Sequence, residues 1–163
     1  MMFRKIAALS ATAVLALTLV GCQEEKSAKE QLEEWGNLES VSDYRNKSYG
    51  YLKKLLDGCD PDNPMSLKEG AETSAQLEML CDDVINESNV PEKCEQAHAY
   101  LVESAKETKE ASEDLSDAIV ALNTNNTIRA TNRMSEATEH TTKSTDALNK
   151  MSEEAHRLNT SDE

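Results

Sequence analysis

From Ala97 onward, small and apolar side chains recur at alternating steps of four and three: Ala97, Leu101, Ser104, Thr108, Ala111, Leu115, Ala118 and Leu122. After the polar stretch Asn123-Thr-Asn-Asn126 the pattern resumes as Ala130, Met134, Ala137, Thr141, Ser144, Leu148, Met151, Ala155 and Leu158. This is the spacing of helices that lie side by side along a seam. The short polar turn between them makes the two antiparallel neighbours. Their seam is largely Ala, Ser and Thr, so the backbones can approach closely while burying little apolar area. Such a hairpin is marginal alone and needs further helices against it.

Two upstream segments supply them. Ser66-Leu-Lys-Glu69 has the form of a capping box, in which the serine accepts from a free N–H and the glutamate reaches back. It opens a helix carrying Leu67, Ala71, Leu77, Leu80, Cys81, Val84 and Ile85. Asn89-Val-Pro-Glu92 repeats the capping pattern, with a proline near the helix start where its missing N–H costs little. The first segment, about 27–56, carries Leu32, Trp35, Leu38, Val41, Tyr44, Tyr51, Leu52, Leu55 and Leu56. Gly36 and the Ser/Asn-rich stretch 40–48 weaken its first half. Turn formers mark breaks at 57–64, 86–91 and 123–126. Five Gly and three Pro in 163 residues leave little room for a turn-rich sheet fold. The expected fold is all-α: an up-down-up-down four-helix bundle over 28–158, with a long C-terminal hairpin and a disordered tail at 159–163. A three-helix core with a frayed first segment is the alternative.

The first 21 residues belong to none of these helices. Arg4 and Lys5 precede an apolar run from Ile6 to Val20, interrupted only by Ser10, Thr12 and Thr18. That run falls short of the about 20 apolar residues a spanning helix needs. A positive start, a short apolar middle and small residues at the end describe a signal peptide. Its last residues, Leu19-Val20-Gly21-Cys22, resemble the lipobox of bacterial lipoproteins. The resemblance covers this segment alone and is silent on the fold that follows. It implies a diacylglycerol on the Cys22 thiol, cleavage before Cys22 and further acylation of the new amine. Two or three acyl chains hold a protein stably to a bilayer, where one does so only marginally. Gln23 stands where an aspartate would favour inner-membrane retention, so the expected place is the outer membrane facing the periplasm, or the outer face of the plasma membrane where there is no outer membrane. Residues 22–27 read as a lipidated tether.

Losing residues 1–21 leaves 142 of the 163, the size of one domain. It removes two positive charges and takes the formal charge from −14 to −16. So acidic a chain repels nucleic acid and anionic headgroups. The expected partners are the bilayer, through Cys22, and an unidentified envelope protein.

With Cys22 committed to lipid, three thiols remain: Cys59, Cys81 and Cys94. An exported compartment permits one bridge and one remainder. In an antiparallel pair turning near Asn89, Cys81 lies about 10 Å below the turn and Cys94 about 6 Å. Small shifts would bring them within the roughly 4.4–6.8 Å of a disulfide. The expectation is Cys81–Cys94, with Cys59 free or intermolecular. A metal site competes for the same thiols: Cys94 and His98 are one helical turn apart, and the hairpin's symmetry about Thr124 brings His156 near them. The disulfide is the preferred reading, and no cofactor is expected.

Other constellations carry less. Asp60-Pro-Asp62-Asn63 with Asp57 offers oxygens for calcium, but two prolines stiffen it and the distal glutamate is missing, which leaves a solvated turn. Met134 and Met151 lie on the seam as core filler. Trp35 and the cluster Tyr44, Tyr49, Tyr51 read as seals of the first segment onto the bundle, with an exposed aromatic patch for a partner as the other reading. Gly-x-Ser-x-Gly, His-Glu-x-x-His and a phosphate-cradling glycine loop are all missing. These signs point to a non-catalytic envelope lipoprotein whose bundle serves interaction or assembly. The alternative is a metal- or small-ligand-binding lipoprotein.

Overall fold

A computed structural model describes residues 26–161. Among them run five α-helices and one 3₁₀ turn, with no strand. The helices are α1 (Ala28–Gly36), α2 (Glu39–Asp57), α3 (Leu67–Ile85), α4 (Glu95–Asn123) and α5 (Thr127–Thr160); the 3₁₀ turn, Glu92–Cys94, leads into α4. The four long helices α2 to α5 alternate in direction, so the expected all-α bundle is the fold. Among the described residues no helix is long and apolar enough to cross a membrane.

The heptad stripe of α4 is the axis of the core. All eight of its members, Ala97 to Leu122, are buried. Opposite them, α5 buries Ala130, Ala137, Ser144 and Leu158 and half-buries Met134, Thr141, Leu148 and Met151. Small residues at the seam let these helices pack along nearly their whole length, and their outer faces are pinned by ions. Arg133 reaches Asp114 at 3.0 Å and Asp117 at 3.3 Å, while Arg129 reaches Asp117 at 3.1 Å. The turn between them uses Asn125 at φ 59°, and Asn126 caps α5 by accepting from the Arg129 N–H. Asparagine is one of the few residues that adopts the left-handed region readily.

The first segment differs from the expected single helix. It breaks at Gly36-Asn37-Leu38 into α1 and α2. Ser27 and Glu30 form a complete capping box at the start of α1. Neither piece is frayed: Trp35 is buried in α1, and Val41, Tyr44 and Leu55 are buried in α2. The break changes what each piece touches. α1 packs on the 3₁₀ turn and the end of α5, whereas α2 packs on α3.

Two caps also depart from expectation. Ser66 accepts from the Glu69 N–H, but the Glu69 carboxylate pairs with Lys54 at 3.0 Å instead of reaching back. Asn89 caps nothing: its N–H and side-chain amide both donate to Glu87. The 3₁₀ turn is held from outside instead, because Gln31 of α1 accepts from the Lys93 N–H at 3.1 Å. On α3, the periodicity is shifted by one step at its start. Leu67 and Ala71 are exposed, and Gly70, Thr73 and Ser74 face inward. Gly70 is the close-approach point, since a Cβ there would meet Ile119 of α4 at 3.4 Å.

Two glycines give opposite expectations. A Cβ on Gly58 would stand 2.7 Å from the Met65 Cβ, whose N–H donates to the Gly58 carbonyl across the α2–α3 loop. Gly50 lies inside α2 with nothing within 4 Å of an added Cβ. In urea melts, Gly58→Ala should lower stability by about 1–3 kcal/mol through overpacking. Gly50→Ala should raise it by about 0.5–1 kcal/mol through reduced chain entropy and better helix propensity.

Candidate functional site

Cys22 lies outside the described residues. The other cysteines, Cys59, Cys81 and Cys94, are all buried and free. The expected Cys81–Cys94 bridge is therefore corrected. Cys81 sits inside α3, within electrostatic range of Tyr44 and Lys109, facing the middle of the bundle. Cys94 ends the 3₁₀ turn, on the side of Glu34 in α1. The helix pairing is as expected, but the extended link 86–91 and the 3₁₀ turn carry Cys94 away under α1. Cys59 packs beneath the end of α2, directing its thiol to the carbonyls of Leu55 and Leu115. Burial pushes the Cys59 thiol up to about 11 and that of Cys81 to about 12, and raises Cys94 too. A thiol is nucleophilic and metal-binding only as its thiolate, so these behave as small apolar side chains.

The metal alternative named Cys94, His98 and His156. His98 is buried, and its Nδ1 accepts from the Trp35 indole N–H at 3.3 Å. Indole only donates, so Nδ1 is unprotonated and the neutral ring carries its proton on Nε2. The ring also hydrogen-bonds the backbone of Val84 and stands edge-on to Trp35 at 89°. Neither nitrogen is left for a cation. His156 is exposed on α5. Among the described residues no three His, Cys, Asp or Glu side chains come together as a ligand set. Near Asp60, the carboxylate accepts from the Asp62 N–H at 2.9 Å, closing a local turn.

The trio Trp35, His98 and Val84 instead fastens α1 to α4 and α3. Burial lowers the His98 pKa from its ordinary value, partly offset by Glu87 and the Val84 hydrogen bond.

The site that the structure brings together is a groove between α2 and α5. α5 packs on α4 and α1 but has no extensive contact with α2, so the fourth seam of the bundle stays open. The opening holds about 320 Å³. Its walls are Leu52 and Leu56 of α2 and Met134, Ala137 and Leu148 of α5, with Leu115 of α4 between them. Tyr49, expected among the seals, stands on its rim and is 74% exposed, whereas Tyr44 is buried in its floor.

That floor is a closed ring of four hydroxyls. Tyr44 bonds Ser104 at 2.9 Å and Thr108 at 2.8 Å, and Ser144 bonds the same two at 2.8 and 2.9 Å. Burial raises the Tyr44 pKa above its ordinary value, against the effect of its hydroxyl partners, so the phenol keeps its proton. Ser104, Thr108 and Ser144 were visible as seam residues. What the sequence does not display is that α2 presents Tyr44 to all of them while leaning away from α5 on either side. The one available signal was the run Tyr44, Ser48, Leu52 and Leu56, a four-residue stripe with an apolar end.

Comparison of the chain with protein-family models, with curated proteins and with solved structures finds no match.

Two measurements check these assignments. In native protein at pH 8, iodoacetamide should leave Cys59, Cys81 and Cys94 unmodified; in denaturant without reductant it should alkylate all three. Acid should act on His98 with a defined sign. The unfolded imidazole titrates near pH 6.5 and the folded one lower. Its contribution is whole above about pH 6.5 and is lost as the pH falls below that value. Between pH 7.5 and 5.5, wild type should lose more melting temperature than His98→Gln.

Proposed function

We propose that this chain is a bacterial envelope lipoprotein, held to a bilayer by lipid on Cys22, whose bundle is a non-catalytic interaction module. The observation that carries the interaction role is the distribution of uncovered apolar side chains. Of the six large apolar side chains exposed among the described residues, Leu56, Leu67, Val120 and Ile128 form one group, and Ile128 is 77% exposed; Tyr49 stands on the groove rim and Met79 stands apart on α3. The members of the group come from four different helices, at the end of α2, the start of α3, the end of α4 and the start of α5. Antiparallel connection puts all four helix ends at one end of the bundle. α1, which begins six residues after Cys22, lies at the other end with the C-terminus of α5. The 19 residues of α2 separate the two ends by about 28 Å. A lipid-held chain would thus present its apolar tip away from the membrane, where a partner can meet it, on an otherwise acidic surface that discourages nonspecific association.

The second reading, a small-ligand-binding lipoprotein, is favoured by the open groove between α2 and α5. The partners of His98, Trp35 and Val84, favour that form of it over the metal-binding one.

Two experiments test the main reading. Labelled palmitate should be incorporated in a bacterial host and lost in Cys22→Ala, with the variant leaving the membrane fraction; labelling that survives the substitution would end the anchoring role. A photo-crosslinking residue at Val120 or Ile128 should trap one discrete envelope protein, while the same residue at exposed Glu153, near the other end of α5, should not. Equal trapping at all three positions, or none at the tip, overturns the interaction role.

A further inference from the structure

The hydroxyl ring has a proton count that limits what the groove can hold. Four hydroxyls carry four protons, and the ring contains four hydrogen bonds. Each hydroxyl has a single proton to donate and two lone pairs to accept. Every proton is therefore consumed within the ring. Around a closed four-membered cycle this forces one sense of circulation, with each oxygen donating once and accepting once. Each oxygen keeps one unused lone pair. The groove floor is thus acceptor-only, although it is built entirely of groups that could donate.

Tyr44, Thr108 and Ser144 all line the groove, below walls supplied by Leu52, Met134 and Leu148. A volume of about 320 Å³ lies within the range of small-molecule sites. It is room for about ten water volumes at ~30 Å³ each. Such a site orients its guest by a few polar groups set in an apolar wall. An acceptor-headed guest would have to break the ring to gain a hydrogen bond from the floor, since the other donors, Ser48, Tyr49 and Lys53, all belong to α2 on one side of the groove. A donor-headed guest adds one to an intact ring whose bonds polarise one another. Charge narrows the class further. The formal charge of −14 disfavours carboxylate amphiphiles. The ring has no charge to offset a buried ammonium, and the one cation on the rim, Lys53, is paired with Asp57.

We propose that the groove between α2 and α5 binds a small uncharged apolar molecule bearing a hydrogen-bond donor, a medium-chain alcohol being the simplest case, and that the Tyr44–Ser104–Ser144–Thr108 ring accepts from that donor. The proposal rests on the small-ligand reading and names its ligand class.

The test uses the full chain, free of detergent, titrated with 1-octanol, with its isomer heptyl methyl ether, which only accepts, and with octanoate. Binding is read from the methyl resonances of Leu52, Met134 and Leu148. Octanol should bind saturably and shift all three, and the ether should bind roughly five- to tenfold more weakly for want of one hydrogen bond. Octanoate should be weaker than octanol as well. Ser48→Leu with Thr145→Leu, which fills the groove without touching the ring, should abolish binding while leaving the fold intact. Tyr44→Phe leaves three hydroxyls with two mutual bonds and frees one proton for a guest. The preference for octanol over the ether should then collapse toward unity, and Ser144→Ala should act in the same sense. A wild-type chain that binds none of the three compounds sinks both this proposal and the small-ligand reading. One that binds octanol and the ether equally overturns the proposal and spares that reading. A preference for octanol that persists unchanged in a folded Tyr44→Phe overturns the role of the ring.

Discussion

Three helices meet at one ring of hydroxyls, and the shape of the bundle follows from how that ring has to be satisfied. Tyr44 comes from α2, Ser104 and Thr108 from α4 and Ser144 from α5. A buried hydroxyl without a partner costs about 1–3 kcal/mol. The seam between α4 and α5 contains too many Ser and Thr residues for an apolar core, so its polar groups need one another. The tyrosine completes the ring, and its aromatic body fills the space that small seam residues leave. This fixes the height and rotation of α2 against α4 at one point. Above and below it, α2 is free to follow α3, and the seam toward α5 opens.

A second polar contact does for α1 what the ring does for α2. The Trp35 indole donates to His98 across 63 residues of sequence, and Gln31 supplies the acceptor that starts the 3₁₀ turn before α4. Both contacts are possible because the chain breaks at Gly36-Asn37-Leu38. A continuous first helix would point Trp35 along the axis of α2 and away from α4.

The long helices were legible in the sequence because their information is periodic. Ala97 to Leu122 show the seam of α4 residue by residue, and every one of them is inside. Ser66 marks the start of α3 because a cap is a local device. That Cys81 and Cys94 stay unbridged was not legible, and the reason is geometric: a residue count gives height along two helices, but the direction of each thiol depends on the link between them. His98 shows the same limit. Its spacing from Cys94 suggested a ligand pair, while its actual partners, Trp35 and Val84, are distant in sequence and appear only with the tertiary fold. The groove has no signature in the sequence for a further reason. It arises from a contact that fails to form, and periodicity reports which residues face inward, not whether two inward faces meet.

The break between α1 and α2 has a mechanical consequence. A pull on the chain at Lys26 is borne first by α1, a nine-residue helix whose attachments include the Trp35–His98 bond, the Gln31 contact to the 3₁₀ turn and a small buried face. The contacts of so short a helix give way a few at a time, as a strip peels. The antiparallel pair α4 and α5, loaded along its axis, has to shear all its seam layers together. α1 is therefore a sacrificial link: strain applied at Lys26 is spent on detaching it before force reaches the hydroxyl ring or the groove.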